Sequence, residues 1–158
     1  MRALQAMFVV LAAAVALTSV AAAGPAPTKQ RVQIDMKIYP KKTFALATLQ
    51  SGALKRDSGT HACNGGDPDD LGTVQRDGQE AFRLECRAWE FTGKRGTLVL
   101  RSQFAWIEAG GPYNIATGTW KVVRGTGQYA GVAGGGRSAQ VGGTSTWLAR
   151  YQGFLTSS

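Results

Sequence analysis

The chain has 158 residues, 44% hydrophobic and 18% charged, and its 18 lysines and arginines outweigh 10 acidic residues to give a formal charge of +8. One domain with its own core fits this length, and a second has no room. A single histidine, two cysteines outside any Cys-x-x-Cys and the lack of a nucleophile elbow exclude a His/Cys zinc set, a thiol redox pair and a Ser-His-Asp triad.

Residues 1–23 have the organisation of a secretory signal peptide. Met1-Arg2 is a short positive region, "ALQAMFVVLAAAVALTSV" is the apolar region, and Ala21-Ala22-Ala23 supplies small residues for cleavage before Gly24. Residues 24–30, "GPAPTKQ", form a flexible exit, and residues 31–158 form the domain. No later run is long and apolar enough to span a bilayer, so the expectation is a secreted or extracytoplasmic chain with no membrane attachment after cleavage. In an oxidising compartment, Cys63 and Cys86 are expected to form one disulfide. Cleavage removes only Arg2 among the charged residues, so the mature chain stays basic. Its paired cations, Lys41-Lys42, Lys55-Arg56 and Lys94-Arg95, are scattered over strand ends and turns without interleaved aromatics, which predicts a solvated surface and no specific nucleic-acid site.

From Arg31, "RVQIDMKIY" alternates Val32, Ile34, Met36 and Ile38 against Gln33, Asp35 and Lys37, the period of a half-buried strand. "TFALATL" is a second strand, carrying Phe44 and Leu46; "SGALKRDSGT" is a turn-rich link, and the chain extends again at 60–63. "NGGDPDDLG" has loop composition. Asp67, Asp69 and Asp70 in it are hard oxygen ligands, but they match no complete calcium loop, and turn formation explains them, so no metal is expected. "EAFRLECRAWEF" alternates Phe82, Leu84, Cys86 and Ala88 against Arg83, Glu85, Arg87 and Trp89. The longest regular run, "GTLVLRSQFAWIEA", places Leu98, Leu100, Ser102, Phe104, Trp106 and Glu108 on one face.

In "ATGTWKVVRG", Gly118, Trp120, Val122 and Arg124 share a face, so this is a strand ending at Gly125. The following "TGQYAGVAGGG" is too glycine-rich for the helix that a phosphate-binding loop requires. Its glycines instead suit a tight corner plugged by Tyr129 and Val132. "TSTWLARYQGFL" closes the chain with Trp147, Ala149, Tyr151 and Leu155 on one face. Short strands, glycine-rich turns and no helical period predict an all-β antiparallel domain, either a sandwich or a closed β-barrel, of which the barrel better removes exposed edges.

The order "SGALKRDSGT", "FTGKRGTLVLR", "ATGTWKVVRGTGQYAGVAGGG" resembles small exported bacterial members of the allene oxide cyclase barrel-like superfamily, which includes plant dirigent proteins. The resemblance covers most of the mature chain, and its specific part is Gly-Thr-Trp followed by Gly-Thr-Gly-x-Tyr-x-Gly. It implies an eight-stranded antiparallel closed β-barrel with a largely apolar cavity. The superfamily's characterised members steer ring closure or coupling of reactive intermediates and often form trimers, so a homo-oligomer, trimer or dimer, is the matching expectation.

Function divides into two classes. The first is an exported barrel that binds a small apolar ligand without catalytic machinery, lined by Leu98, Leu100, Phe104 and Trp106. The second is a cofactor-independent isomerase or cyclase steering an intermediate, for which Glu108, in apolar company, is the candidate acid. Binding is the preferred reading because no acid-base pair stands out. His61 is expected to be an exposed loop residue, and Asp35 to face away from Val32, Ile34 and Met36 as a surface or interface charge.

Overall fold

A computed structural model describes residues 27–38, 41–48, 54–64 and 66–157; the signal-peptide reading falls outside them. The described residues form nine strands in one antiparallel sheet: β1 (Thr28–Lys37), β2 (Thr43–Thr48), β3 (Asp57–Cys63), β4 (Asp69–Arg76), β5 (Gln79–Gly93), β6 (Gly96–Glu108), β7 (Asn114–Gly125), β8 (Ala133–Gly142) and β9 (Trp147–Ser157). The order is β3-β2-β1-β9-β8-β7-β6-β5-β4, and β3 also pairs with β5, so eight strands close a ring and β4 stands outside it. Closure satisfies the backbone of every strand in the ring on both sides.

Strands β3 and β4 run end to end along one edge of β5, Cys63 opposite Trp89 and Asp69 opposite Glu85. The β4–β5 connection is Asp77-Gly78, both at positive φ (52° and 78°), the two-residue hairpin turn that Asp-Gly favours. β4 is a strand where the aspartates of "DPDDLG" predict loop. Pairing to β5 overrides their low strand propensity, and burial gives no signal because the strand is almost wholly exposed.

The inward face carries the core. Val32, Ile34, Met36, Phe44, Leu46, Leu98 and Leu100 are buried as their alternation predicts, and Asp35 faces out. One face is misread from periodicity. The β5–β6 register shifts between Cys86 and Trp89, so Cys86 opposes Ser102 while Trp89 opposes Leu100. This bulge turns Trp89 inward, to 5% exposure, after a run in which strict alternation places it outside.

One end of the ring is sealed. A 3₁₀ turn at Gly127–Tyr129 drops Tyr129 into it, fully buried, with Val132 and Leu155 alongside. The Tyr129 hydroxyl donates to Asp57 Oδ2 at 3.0 Å, and Asp57 also accepts from the backbone amides of Ser58, Lys94 and Arg95 at 2.9, 3.1 and 3.3 Å. Burial, then the Asp57 charge, pushes the Tyr129 phenol far above its usual range. Gly125 and Gly127 permit the corner: a Cβ on Gly125 would strike the Tyr129 carbonyl, and Gly127 sits at φ +58°. Gly134 to Gly136, grouped with this corner by composition, instead belong to β8.

Candidate functional site

At the opposite end the ring stays open. A cavity of about 370 Å³ there is lined by Trp89 and Leu84 of β5, Phe104 and Trp106 of β6, Gln140 of β8 and Trp147 of β9, with His61 and Cys63 of β3 on its other side. Lys42 and Asp67 stand among the residues of its mouth. Behind the wall, the Trp106 ring leans on Phe82 (centroids 5.2 Å apart), and Trp89 lies 6.4 Å from Phe104 and 6.3 Å from Tyr151, so ring packing holds the aromatic part of the lining.

His61 is 4% exposed, in β3 and not in a solvated loop. The indole Nε1–H of Trp89 donates to His61 Nδ1 at 3.1 Å, and His61 Nε2 lies 3.1 Å from the Lys37 carbonyl. An indole nitrogen can only donate and a carbonyl can only accept, so the imidazole is neutral with its proton on Nε2. Burial lowers its pKa from 6.5; the Lys37 carbonyl opposes that shift and the nearby Lys42 charge reinforces it. Both nitrogens are occupied, leaving no free lone pair to serve as a base.

Cys63 and Cys86 form the expected disulfide, S–S 2.06 Å, with Cys86 fully buried. It ties the end of β3 to the β5 bulge, and Asn64 N donates to the Ala88 carbonyl beside it at 2.9 Å. The bridge therefore holds the histidine strand against the segment that turns Trp89 inward. Such a bridge belongs to an oxidising, extracytoplasmic environment. Among the described residues no helix is long and apolar enough to cross a membrane.

Two buried donors on residues that line the cavity have no partner among the described residues: Trp106 Nε1 and Gln140 Nε2, the latter on a side chain only 4% exposed. Ser138 Oγ, two residues earlier on the same face of β8, is a third unpartnered atom. By contrast the deeper Ser102 and Tyr151 hydroxyls pair at 3.1 Å, and burial raises the Tyr151 pKa to about 12. Buried donors are costly unless something accepts from them.

Of the residues expected to line a ligand site, Phe104 and Trp106 border this cavity, whereas Leu98 and Leu100 are not in its lining and lie deeper, in the fully buried core. Glu108 ends β6 exposed, opposite Asn114, and is not part of the cavity lining. Asp69 pairs with Arg87 at 3.1 Å and Asp70 accepts from Gly72 N at 2.7 Å, so both make contacts of ordinary turn and surface type. Trp89 and Gln140 border the cavity with no sequence signal pointing to them, and His61, a lone histidine that could serve as a base but is expected to be exposed, borders it from a buried position. Alternation of Asp57, Gly59, His61 and Cys63 was a usable signal for His61; a bulge hid Trp89, and in "RSAQVG" the polar Ser138 and Gln140 point inward while Ala139 and Val141 point outward, which inverts the usual reading.

No family model matches the chain, and neither the curated proteins nor the solved structures give a match.

Proposed function

We propose that this protein is an exported closed β-barrel that binds a small, largely apolar molecule bearing a hydrogen-bond acceptor at its open end, without catalysing its conversion. The observation that carries the reading is the pair of unpartnered donors, Trp106 Nε1 and Gln140 Nε2, on residues that line the cavity; both nitrogens are buried, so a ligand oxygen reaches them as these side chains turn toward the cavity. A ligand carbonyl, ether or carboxylate oxygen would satisfy them while its apolar body covers Phe104, Leu84 and Trp89. The volume, about 370 Å³, suits a molecule of one or two rings. The resemblance of the Gly-Thr-Trp and Gly-Thr-Gly-x-Tyr-x-Gly segment to the allene oxide cyclase barrel-like superfamily, and the signal-like residues 1–23, support the barrel and its export.

Cyclase chemistry is the weaker reading of the same cavity. It calls for an acid or base facing the ligand, but Glu108 is exposed at the end of β6, both His61 nitrogens are engaged, and the one carboxylate of the lining, Asp67, is exposed. The test is tryptophan fluorescence against a panel of aromatic ketones, with Leu84→Arg as the blocking variant, since Leu84 is a half-buried lining residue. Saturable quenching in the wild type that Leu84→Arg abolishes supports the reading. Quenching unchanged in Leu84→Arg puts the ligand elsewhere and overturns it.

A further inference from the structure

The cations that sequence spacing scatters are partly gathered by strand register. Arg83, Ala105, Thr117, Ala139 and Arg150 are successive cross-strand partners on β5, β6, β7, β8 and β9, all on the outer face. The row therefore runs across the strands with an arginine at each end and small residues between. Four inter-strand steps of about 4.8 Å separate the two arginines by roughly 19 Å along the wall. Arg137, exposed, stands in the next row beside Thr119 and Gln152. From the outlying β4, Arg76 reaches across, its Nη1 donating to Thr117 Oγ1 at 3.1 Å, so the β4 arm walls the floor into a groove of about 930 Å³.

Among the described residues, four arginines and no carboxylate line this groove. Arg150 is offset by Asp35 at 2.6 Å, but the Arg83 and Arg137 guanidiniums meet no carboxylate among the described residues. Glu85, the nearest buried acid in register, is already bound by Arg101 at 2.6 Å, Gln103 at 2.7 Å and Arg87 at 3.3 Å. Between the guanidiniums the groove offers amides and hydroxyls from Gln75, Gln103, Gln152 and Thr119.

We infer that this outer groove is a second binding site, for a linear polysaccharide bearing carboxylates. Guanidinium forks match carboxylates in bidentate geometry, while the interleaved amides and hydroxyls match sugar hydroxyls. Arginines spread along the wall from β5 to β9 ask for an extended chain and not a single ion. Phe104, the one aromatic residue of the lining, is 8% exposed and belongs to the inner core, so nothing stacks on bases, which disfavours single-stranded nucleic acid.

The experiment titrates the full mature protein with polygalacturonate by calorimetry, with dextran and poly(dT) as comparison ligands. Arg83→Gln/Arg137→Gln is expected to weaken polygalacturonate binding about tenfold or more. Lys55→Gln/Lys94→Gln, which removes the same charge from exposed positions elsewhere, is expected to weaken it less than about twofold. Arg83→Lys/Arg137→Lys, which keeps the charge and loses the fork, should fall between. The inference is overturned if the wild type does not bind polygalacturonate, if both Gln pairs weaken it equally, or if dextran or poly(dT) binds as tightly.

Discussion

Trp89 Nε1 and His61 Nδ1 are 3.1 Å apart, and that bond fixes a neutral imidazole at the open end of the ring. Protonation would set an N–H against an N–H, so the folded state resists taking up the proton. A depressed histidine pKa gives stability that is complete above the unfolded value of 6.5 and is lost as pH falls toward the folded one.

The melting temperature is therefore expected to drop as pH is lowered from about 7 toward 5, before most carboxylates titrate. In His61→Gln the drop over that interval should shrink. Thermal melts followed by circular dichroism in matched buffers check it, and an identical slope in the variant would remove His61 as the source.

The Cys63–Cys86 bridge spans 23 residues of sequence, for which chain entropy gives about 3 kcal/mol. Cys63→Ser/Cys86→Ser is expected to lose that much in denaturant unfolding. Mass spectrometry of wild-type protein after alkylation without reductant should show no modified thiol. The double variant should also bind less well at the cavity, since Cys63 is part of its lining.

Trp120 is 3% exposed, and its Nε1 lies 3.1 Å from the Arg137 carbonyl and 3.3 Å from that of Gln152, joining β7 to β8 and β9. Trp120→Ala is expected to cost about 3 to 5 kcal/mol. Urea unfolding measures it, and a change below about 1 kcal/mol would contradict its core placement.

At the sealed end, Tyr129→Phe removes the hydroxyl that donates to Asp57 at 3.0 Å but keeps the ring that plugs the corner. A loss of about 1 to 2 kcal/mol is expected, since Asp57 retains three backbone donors. Asp57→Ala should cost more, because it strips the Lys94 and Arg95 amides of the β5–β6 turn as well; the same unfolding assay ranks the two.

Where burial follows a period of two, the sequence was legible: Val32, Ile34 and Met36 in β1, and Leu100, Ser102 and Phe104 in β6, are buried where alternation puts them, while Val99, on the other face of β6, is buried against that pattern. Legibility fails where a residue is inserted or the polarity is inverted. Two residues between Cys86 and Trp89 reverse the face of every residue that follows, and nothing in "CRAWEF" marks the slip. Gln140 and Ser138 are polar side chains pointing inward, which a hydrophobic pattern reports as outward. The arginine groove depends on which strands are neighbours, a property of ring closure that local spacing does not carry.

Trp106 Nε1 and Gln140 Nε2 lack an acceptor among the described residues, and the most direct measurement of whether a ligand supplies one compares two ligands of one shape. Calorimetric titration with 2-acetylnaphthalene and 2-ethylnaphthalene differs chiefly in one carbonyl oxygen. The ketone should bind the wild type about tenfold more tightly, Gln140→Leu should narrow that gap, and Gln140→Leu/Trp106→Phe, which removes both donors, should bring the two affinities together. Equal affinity of the wild type for both, or no binding of either, would contradict the account.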